Sequence, residues 1–191
     1  MSYLTQLTCS ECGAAFDADH VQTFCPACQA PLMAAYDLAA ARQHLDREQI
    51  SRRPAGMWRW AELLPVHDPQ HRLTLGEGDA PLLHLPRLAE RLALPYLFCK
   101  EEGRNPTGSF KARGLAAAVS KARELGLERL IIPTAGNAGG ALAAYAARGG
   151  MQACVIMPED TPLANIEETR IAGAEVILVP GLISDAARLA A

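Results

Sequence analysis

Short apolar runs alternate with Ala-rich stretches of helical length along the second half of the chain. Four of these runs are bounded by turn formers and predict strands at residues 96–100, 129–133, 152–157 and 175–179. A candidate helix follows each predicted strand, beginning near Ser109, Gly139, Pro162 and Leu182. Strands that alternate with helices are typical of a parallel sheet wound with helices, so the sequence predicts an α/β fold.

The first 72 residues lack this alternation. Residues 1–36, called the knuckle below, are rich in Cys, Pro and turn formers, and a polar helical stretch at 38–49 follows them. Residues 51–70 mix Pro and Gly with both tryptophans, which is typical of an irregular connector packed on a larger body. We therefore predict three parts: the knuckle, a connector at 37–72, and the first part of a larger domain at 73–191. The last predicted helix reaches Ala191 with no Gly or Asn to end it, so we expect that domain to continue.

Composition and charge exclude several classes of partner. The chain has 191 residues, half of them apolar, and a formal net charge of -3. It therefore lacks the basic surface that nucleic acids or anionic membranes require. No run reaches the roughly 18 apolar residues of a membrane-spanning helix, and the first seven residues carry no positive charge of a secretory signal. We expect a cytoplasmic protein with no nucleic-acid or membrane partner.

Four of the six cysteines form two Cys-x-x-Cys pairs inside the knuckle, Cys9 with Cys12 and Cys25 with Cys28. Two tight turns at this spacing can bring four thiolates onto one tetrahedral Zn²⁺. Such an ion has no open coordination position, so its predicted role is structural. Free buried thiols and a redox pair are the alternatives, although neither Cys pair has the flanking strand and helix of a thioredoxin-like motif. We expect the other two cysteines, Cys99 and Cys154, to be core side chains.

The most informative segment is residues 105–111, Asn-Pro-Thr-Gly-Ser-Phe-Lys, called the lysine segment below. It leaves a predicted strand, makes a turn and opens a helix, with Thr107 or Ser109 able to cap the helix. Lys111 then falls in the first helical turn, where the helix macrodipole disfavours a cation. The segment resembles the lysine motif of fold-type II pyridoxal-phosphate enzymes, the tryptophan synthase beta superfamily. The resemblance implies that Lys111 binds pyridoxal 5'-phosphate covalently.

Two further segments extend the resemblance. Residues 134–140, Thr-Ala-Gly-Asn-Ala-Gly-Gly, follow a predicted strand and are similar to the family loop that contacts the cofactor. Ala135, Gly136 and Asn137 are the implied cofactor contacts, with Asn137 on the 3-hydroxyl group. Residues 74–82, Thr-Leu-Gly-Glu-Gly-Asp-Ala-Pro-Leu, called the Gly-Glu-Gly segment below, resemble the opening of the threonine synthases, some of which also carry the cysteine knuckle.

The resemblance implies a threonine synthase, which converts O-phosphohomoserine and water to threonine and phosphate, with an amino acid as its small-molecule substrate and a homodimer as its assembly. Two positions depart from the family pattern, because Ala112 stands where Asp is common and Ala135 stands where Ser or Thr is common. The glycine-rich phosphate cup of the family lies in a later half that this chain does not contain. We therefore expect the 191-residue chain alone to be inactive.

Three alternatives remain at this point. The first is another fold-type II enzyme, a serine or threonine dehydratase or a cysteine synthase. The second is a nucleotide-binding domain, because a strand leads into Gly136 and Glu159 or Asp160 follows about 20 residues later, although the glycine spacing does not fit Gly-x-Gly-x-x-Gly. The third is a non-catalytic zinc-bearing fragment.

Overall fold

A computed structural model describes residues 1–190 of the chain. Its larger part is a three-stranded parallel sheet with helices between successive strands, and the strands lie in the sheet in their order along the chain. The elements of this part are α4 (Lys111–Glu124), β6 (Arg129–Pro133), α5 (Asn137–Gly149), β7 (Gln152–Pro158), α6 (Leu163–Ile171), β8 (Glu175–Val179) and α7 (Ile183–Ala190). The predicted α/β fold with a parallel sheet is confirmed.

The central strand β7 explains why this sheet holds together. Val155, Ile156 and Met157 are buried on it, as expected for a strand that has a neighbour on each side and helices above it. On α5, Gly139 allows close packing, because a side chain there would reach to within 2.7 Å of the Met157 methyl group. Helices α4 and α5 pack on one another and fill the core with small Ala side chains.

The prediction of four parallel strands is wrong for the first of them. Residues 98–100 form β5 (Phe98–Lys100), which pairs antiparallel with β4 (Leu82–His84) in a separate two-stranded sheet. Only the short helix α3 (Pro86–Arg91) links these strands, so the chain reverses instead of crossing over. Every residue of β5 is exposed, and the expectation that Cys99 is a core side chain is therefore wrong. Cys154 is half-buried in β7.

The knuckle is a three-stranded antiparallel sheet in the order β2-β1-β3. Its strands are β1 (Leu4–Cys9), β2 (Ala15–Phe16) and β3 (Leu32–Tyr36). The helical stretch predicted at 38–49 is instead two short helices, α1 (Leu38–His44) and α2 (Arg47–Arg52). The break has a local cause, because the Asp46 carboxylate accepts a hydrogen bond from the Gln49 N–H and starts a new helix.

The connector contains two 3₁₀ turns, Met57–Leu63 and Pro69–His71, and it joins the knuckle to the larger α/β part. Met57 is buried in the main core, and the Trp58 indole N–H donates to the Leu73 carbonyl at 2.7 Å. The knuckle also contacts α4 directly, because Lys121 Nζ lies 2.7 Å from Asp19 and 2.8 Å from Glu124. The other Glu124 oxygen accepts from the Asp68 N–H of the connector at 2.7 Å.

In the described part of the chain, no helix combines the length and the apolar character needed to cross a membrane.

Two glycines give opposite expectations for stability. Gly78 has φ +98°, and a Cβ there would overlap the backbone nitrogen of Met57. We expect Gly78→Ala to lower the free energy of unfolding by about 2 kcal/mol or more. The positive φ is strained for alanine, and its methyl group would clash with the Met57 backbone. Urea unfolding followed by circular dichroism measures the change.

Gly114→Ala is the matched control. Gly114 lies inside α4, and a Cβ there meets nothing within 4 Å. The variant should be more stable than the parent chain by about 0.5–1 kcal/mol, because Ala loses less backbone entropy than Gly in a helix. Equal effects of the two substitutions would contradict the close approach of Gly78 to Met57.

Candidate functional site

The two Cys-x-x-Cys turns of the knuckle have the same backbone geometry. In the first, the Cys9 N–H donates to Ala14 and the Gly13 N–H donates to Cys9. In the second, the Cys25 N–H donates to Ala30 and the Gln29 N–H donates to Cys25. The fourth residue after each first cysteine closes the turn in the left-handed region, Gly13 at φ +71° and Gln29 at φ +57°. Two equivalent turns therefore present their sulfur atoms to one point.

The four predicted metal ligands lie together. The Sγ atoms of Cys9, Cys12, Cys25 and Cys28 are all within 4.8 Å of one another. Cys9 and Cys28 sulfurs are 3.3 Å apart, and Cys12 and Cys25 sulfurs are 3.7 Å apart. Four sulfurs around a tetrahedral zinc with bonds of about 2.3 Å would be about 3.8 Å apart, so the cluster fits such an ion.

Electrostatics of the cluster also favour a cation. The Cys12 backbone N–H points at the Cys9 sulfur and lowers the pKa of that thiol to about 6. Although the Ala30 N–H lowers the pKa of Cys28, the Cys9 sulfur beside it raises that pKa to about 12. Four ionised sulfurs at these distances would repel one another, so a positive ion at their centre makes four thiolates compatible. The core of the described knuckle contains only three buried residues, Cys9, Cys25 and Ala30. Apolar burial alone therefore contributes little to the stability of the knuckle, and a bound ion would supply the rest.

The lysine segment is a strained turn that ends at α4. Thr107 has φ +58° although it is not glycine, and Gly108 follows at φ +63°. The Ser109 hydroxyl accepts from the Lys111 N–H at 3.3 Å, so Ser109 supports the helix start and Thr107 does not. The Thr107 hydroxyl is buried without a hydrogen-bond partner in the described part of the chain. Backbone strain and an unsatisfied polar group of this kind concentrate at binding sites.

Lys111 differs from the other lysines of the chain. The sequence contains three, Lys100, Lys111 and Lys121. Lys100 donates to the Ala80 carbonyl at 3.0 Å, and Lys121 is held by two carboxylates. Within residues 1–190, Lys111 Nζ has no hydrogen bond or carboxylate partner, and it lies 4.6 Å from the centre of the Phe110 ring. Lys111 is thus a half-buried residue whose amine has no polar partner in the described part of the chain.

The predicted cofactor loop stands next to the lysine segment. Asn137 is the first residue of α5, directly after Gly136, and the turn Pro106–Gly108 packs against α5. Ala135 and Asn137 are exposed, and Gly136 is half-buried beside the Asn165 amide of α6. The open N-terminus of a 13-residue helix favours an anionic group such as a phosphate or a phenolate. The exposed loop, the unsatisfied Thr107 hydroxyl and the unpaired amine together fit pyridoxal phosphate.

The first departure from the family pattern has a structural explanation. Ala112 is completely buried in the main core between α4 and α5. An Asp at this position would bury a carboxylate among Ala and Met side chains, at a cost of several kcal/mol unless it found a partner. The alanine therefore agrees with its surroundings. Nothing in the structure distinguishes Ala135 from Ser or Thr.

A buried carboxylate from the Gly-Glu-Gly segment lies behind both loops. Glu77 is completely buried, and its Oε2 accepts from the Tyr145 hydroxyl of α5 at 2.5 Å and from the Leu75 N–H at 3.0 Å. Burial raises the pKa of Tyr145 well above its usual range, and Glu77 raises that pKa further, so the hydroxyl stays a donor. The next residue, Gly78, donates its N–H to Asn105 Oδ1 at 3.1 Å.

An ion pair holds the other side of the lysine segment. Arg113 donates two hydrogen bonds to Glu102, at 2.8 and 2.9 Å, and the Asn105 amide donates to the same carboxylate at 2.8 Å. The Arg113 guanidinium holds the pKa of Glu102 below its usual value. Sequence reasoning did not assign roles to Glu77, Glu102, Arg113 or Tyr145. One signal was available, a glutamate with a glycine on each side, Gly76 and Gly78.

Comparison with known proteins places these features in a family. The family model described as pyridoxal-phosphate dependent enzyme matches residues 73–191. Threonine synthase of Methanocaldococcus jannaschii is 37% identical over 179 residues, which are 93% of this chain and 44% of that protein. Threonine synthase of Synechocystis is 44% identical over 125 residues, which are 64% of this chain and 33% of that protein.

Solved structures show the same fold. A pyridoxal 5'-phosphate-dependent aspartate racemase superposes with a TM-score of 0.55 and 29% identity, over 58% of this chain and 35% of that chain. The chain spans less than half the length of the relatives that it matches.

Zinc content is expected to depend on the four knuckle cysteines. Cys25→Ser replaces one ligand of a closed site, so the purified chain should fall from about one zinc per chain to well under half. Elemental analysis by mass spectrometry measures the ratio. Cys99→Ser is the control, because Cys99 is exposed and outside the cluster. Full zinc content in Cys25→Ser, or equal loss in both variants, would contradict the four-cysteine site.

The Glu102–Arg113 pair predicts a pH-dependent contribution to stability. Because the folded state lowers the pKa of Glu102 from 4.5, the pair stabilises the fold above that pH and loses its effect as the pH falls through the lowered pKa. Glu102→Gln should lower the free energy of unfolding by up to about 1 kcal/mol at pH 7, and by less at pH 3. Urea unfolding at both pH values tests this difference.

The control is Glu167→Gln, because Glu167 forms an exposed pair with Arg170. Its effect should stay within about 0.3 kcal/mol at either pH. An effect of Glu102→Gln that is as large at pH 3 as at pH 7 would rule out the ionised pair as its origin.

Proposed function

The chain belongs to the family of pyridoxal-phosphate dependent enzymes, and we propose that it binds this cofactor through Lys111 and works as a threonine synthase. The substrate would be O-phosphohomoserine, and the products threonine and phosphate. Residues 73–191 would form the first part of the catalytic domain, after the zinc-bearing knuckle at 1–36 and the connector at 37–72.

One observation carries the proposal. Of the three lysines in the chain, Lys111 is the one without a hydrogen bond or carboxylate partner within residues 1–190. An amine must be unprotonated to attack an aldehyde, and a neighbouring carboxylate would favour the charged form. Lys111 therefore combines the right chemical group with the right surroundings.

The residues around Lys111 would divide the work of binding. Lys111 Nζ would hold the cofactor covalently, and the Asn137 side chain would donate a hydrogen bond to the oxygen of its 3-hydroxyl group. The space beside Gly136 is open enough for the cofactor to approach the backbone, since the nearest atom to a Cβ placed there is the Asn165 amide nitrogen at 3.8 Å. The buried Thr107 hydroxyl supplies a further donor in the same strained turn.

The bound cofactor would supply an electron sink that stabilises negative charge on the carbon atoms beside the amino group. Lys111 Nζ, once released, would take a proton from one substrate carbon and deliver it to another. The γ-carbon–oxygen bond of O-phosphohomoserine breaks and releases phosphate, and water adds its oxygen to the β-carbon. The balance is one substrate and one water consumed for one threonine and one phosphate.

The comparisons favour this substrate over that of another enzyme in the same family. The relatives from M. jannaschii and Synechocystis are both named threonine synthase, and the match to the first covers 93% of the chain and so extends well before residue 73. Because no second glycine-rich loop for the phosphate follows Asn137 in this chain, we propose that the 191 residues bind the cofactor but do not complete turnover alone.

Borohydride trapping tests the proposal. We expect pyridoxal phosphate at a stoichiometric ratio, followed by reduction, to leave one pyridoxyl group on Lys111, located by peptide mass spectrometry. Lys111→Ala should remove the adduct. Lys100→Ala is the matched control and should keep it, because Lys100 is already bound to the Ala80 carbonyl. An adduct spread over all three lysines would refute a dedicated cofactor site.

The same experiment addresses the substrate. O-Phosphohomoserine should reduce trapping on Lys111 at lower concentration than homoserine, which has the same amino group but no phosphate. Equal competition by the two compounds would leave the cofactor lysine in place and contradict the substrate.

A further inference from the structure

The Gly-Glu-Gly segment contains an unusual group for a loop. Glu77 is completely buried, and its Oε2 is the acceptor for three donors: the Tyr145 hydroxyl, the Leu75 N–H and the Thr74 hydroxyl, the last at 3.2 Å. Its other oxygen, Oε1, is buried with no hydrogen-bond partner in the described part of the chain. Burying a carboxylate costs several kcal/mol, so its surroundings must provide compensating contacts.

These contacts connect the two loops that would hold the cofactor. Tyr145 belongs to α5, which begins at Asn137, and its hydrogen bond fixes this helix to the Gly-Glu-Gly segment. On the other side, the Gly78 N–H donates to Asn105, the first residue of the lysine segment. The backbone between Glu77 and Gly78 is therefore a direct link from Tyr145 to Asn105.

The negative charge of Glu77 also acts on Arg113 of α4. The pKa of Arg113 is raised, mainly by its hydrogen bonds to Glu102 and in a smaller part by the negative charge of Glu77. Arg113 lies two residues after Lys111 on α4. The Glu77 carbonyl also accepts from the Met57 N–H at 2.9 Å, which anchors the segment to the connector.

We propose that Glu77 is a positioning residue, which fixes the lysine segment and the start of α5 relative to each other so that Lys111 and Asn137 face the same cofactor. The role assigned to those two residues rests on the proposed function. Glu77 itself does not touch the cofactor, and it acts through Tyr145 and Asn105. A glutamine would not be equivalent, because its neutral amide oxygen is a weaker acceptor than a carboxylate oxygen for the three donors that Oε2 receives.

Hydrogen exchange of the cofactor-free chain, read by mass spectrometry, tests this role. Tyr145→Phe keeps the buried ring and removes only the hydroxyl, and Glu77→Gln removes the charge. We expect amides of residues 105–113 and 137–141 to exchange about tenfold faster or more in both variants, because a buried hydrogen bond to a charged group is lost. Exchange of β1 in the knuckle should not change.

Tyr36→Phe is the matched control, since it removes a tyrosine hydroxyl from β3 of the knuckle, far along the chain from either loop. It should leave exchange at 105–113 and 137–141 as in the parent chain. A uniform increase over all segments in Tyr145→Phe would mean that Glu77 only adds stability, and no increase at the two loops would mean that it does not position them. Either result overturns the proposal.

Cofactor affinity gives a second readout. The concentration of pyridoxal phosphate that half-saturates borohydride trapping at Lys111 should rise about tenfold in Tyr145→Phe, with Tyr36→Phe unchanged. Absence of any Lys111 adduct in the parent chain would refute the proposed function, and the exchange experiment would still decide whether Glu77 positions the two loops.

Discussion

The hydrogen bond between Glu77 and Tyr145 is the interaction on which the arrangement of the candidate site depends. A carboxylate without water around it must be given donors, and here they come from its own loop and from α5. This requirement determines the path of the backbone around it. Gly78 must approach the Met57 backbone too closely for any side chain, and its N–H then reaches Asn105. One buried charge thus specifies how three separate segments meet.

The parallel sheet with its helices and the knuckle are stabilised by different means. The part around β6, β7 and β8 has a continuous core of small and medium side chains, with helices packed on both sides of a buried strand. The knuckle has a core of three buried residues, two of which are cysteines of the cluster. Its stability therefore depends on what the sulfur atoms bind. Lys121 adds a direct link between the two parts, beside the connector, since it pairs with Asp19 of the knuckle and Glu124 of its own helix.

Local patterns in the sequence were sufficient for most of the parallel sheet. The strands Arg129–Pro133 and Glu175–Val179 have the predicted bounds, because an apolar run of about five residues between turn formers is too short for a helix and suits a strand. The pairing partner of a strand is not a local property. Residues 98–100 read as another parallel strand, but they pair with Leu82–His84, which gave no strand signal of its own. The Asp46 cap likewise divided one predicted helix into two.

The candidate site could be predicted only where a residue type carries its own chemistry. Four cysteines at close spacing pointed to a common centre, and the structure places their sulfurs within reach of one ion. Lys111, Ala135, Gly136 and Asn137 were named through a resemblance, and their roles stay predictions. Tyr145 could not have been found, because its importance comes from a partner 68 residues away.

The scarcity of lysine has a further consequence for a protein that handles an aldehyde. Aldehydes are unselective electrophiles and react with any accessible neutral amine. Of the 18 Lys and Arg residues in the chain, three are lysines, and two of those are occupied by a carbonyl or by carboxylates. The other 15 basic residues are arginines, whose guanidinium groups stay protonated and do not react with an aldehyde as a neutral amine does. On the proposed function, the use of arginine in place of lysine would leave few side-chain amines to compete with Lys111 for the aldehyde.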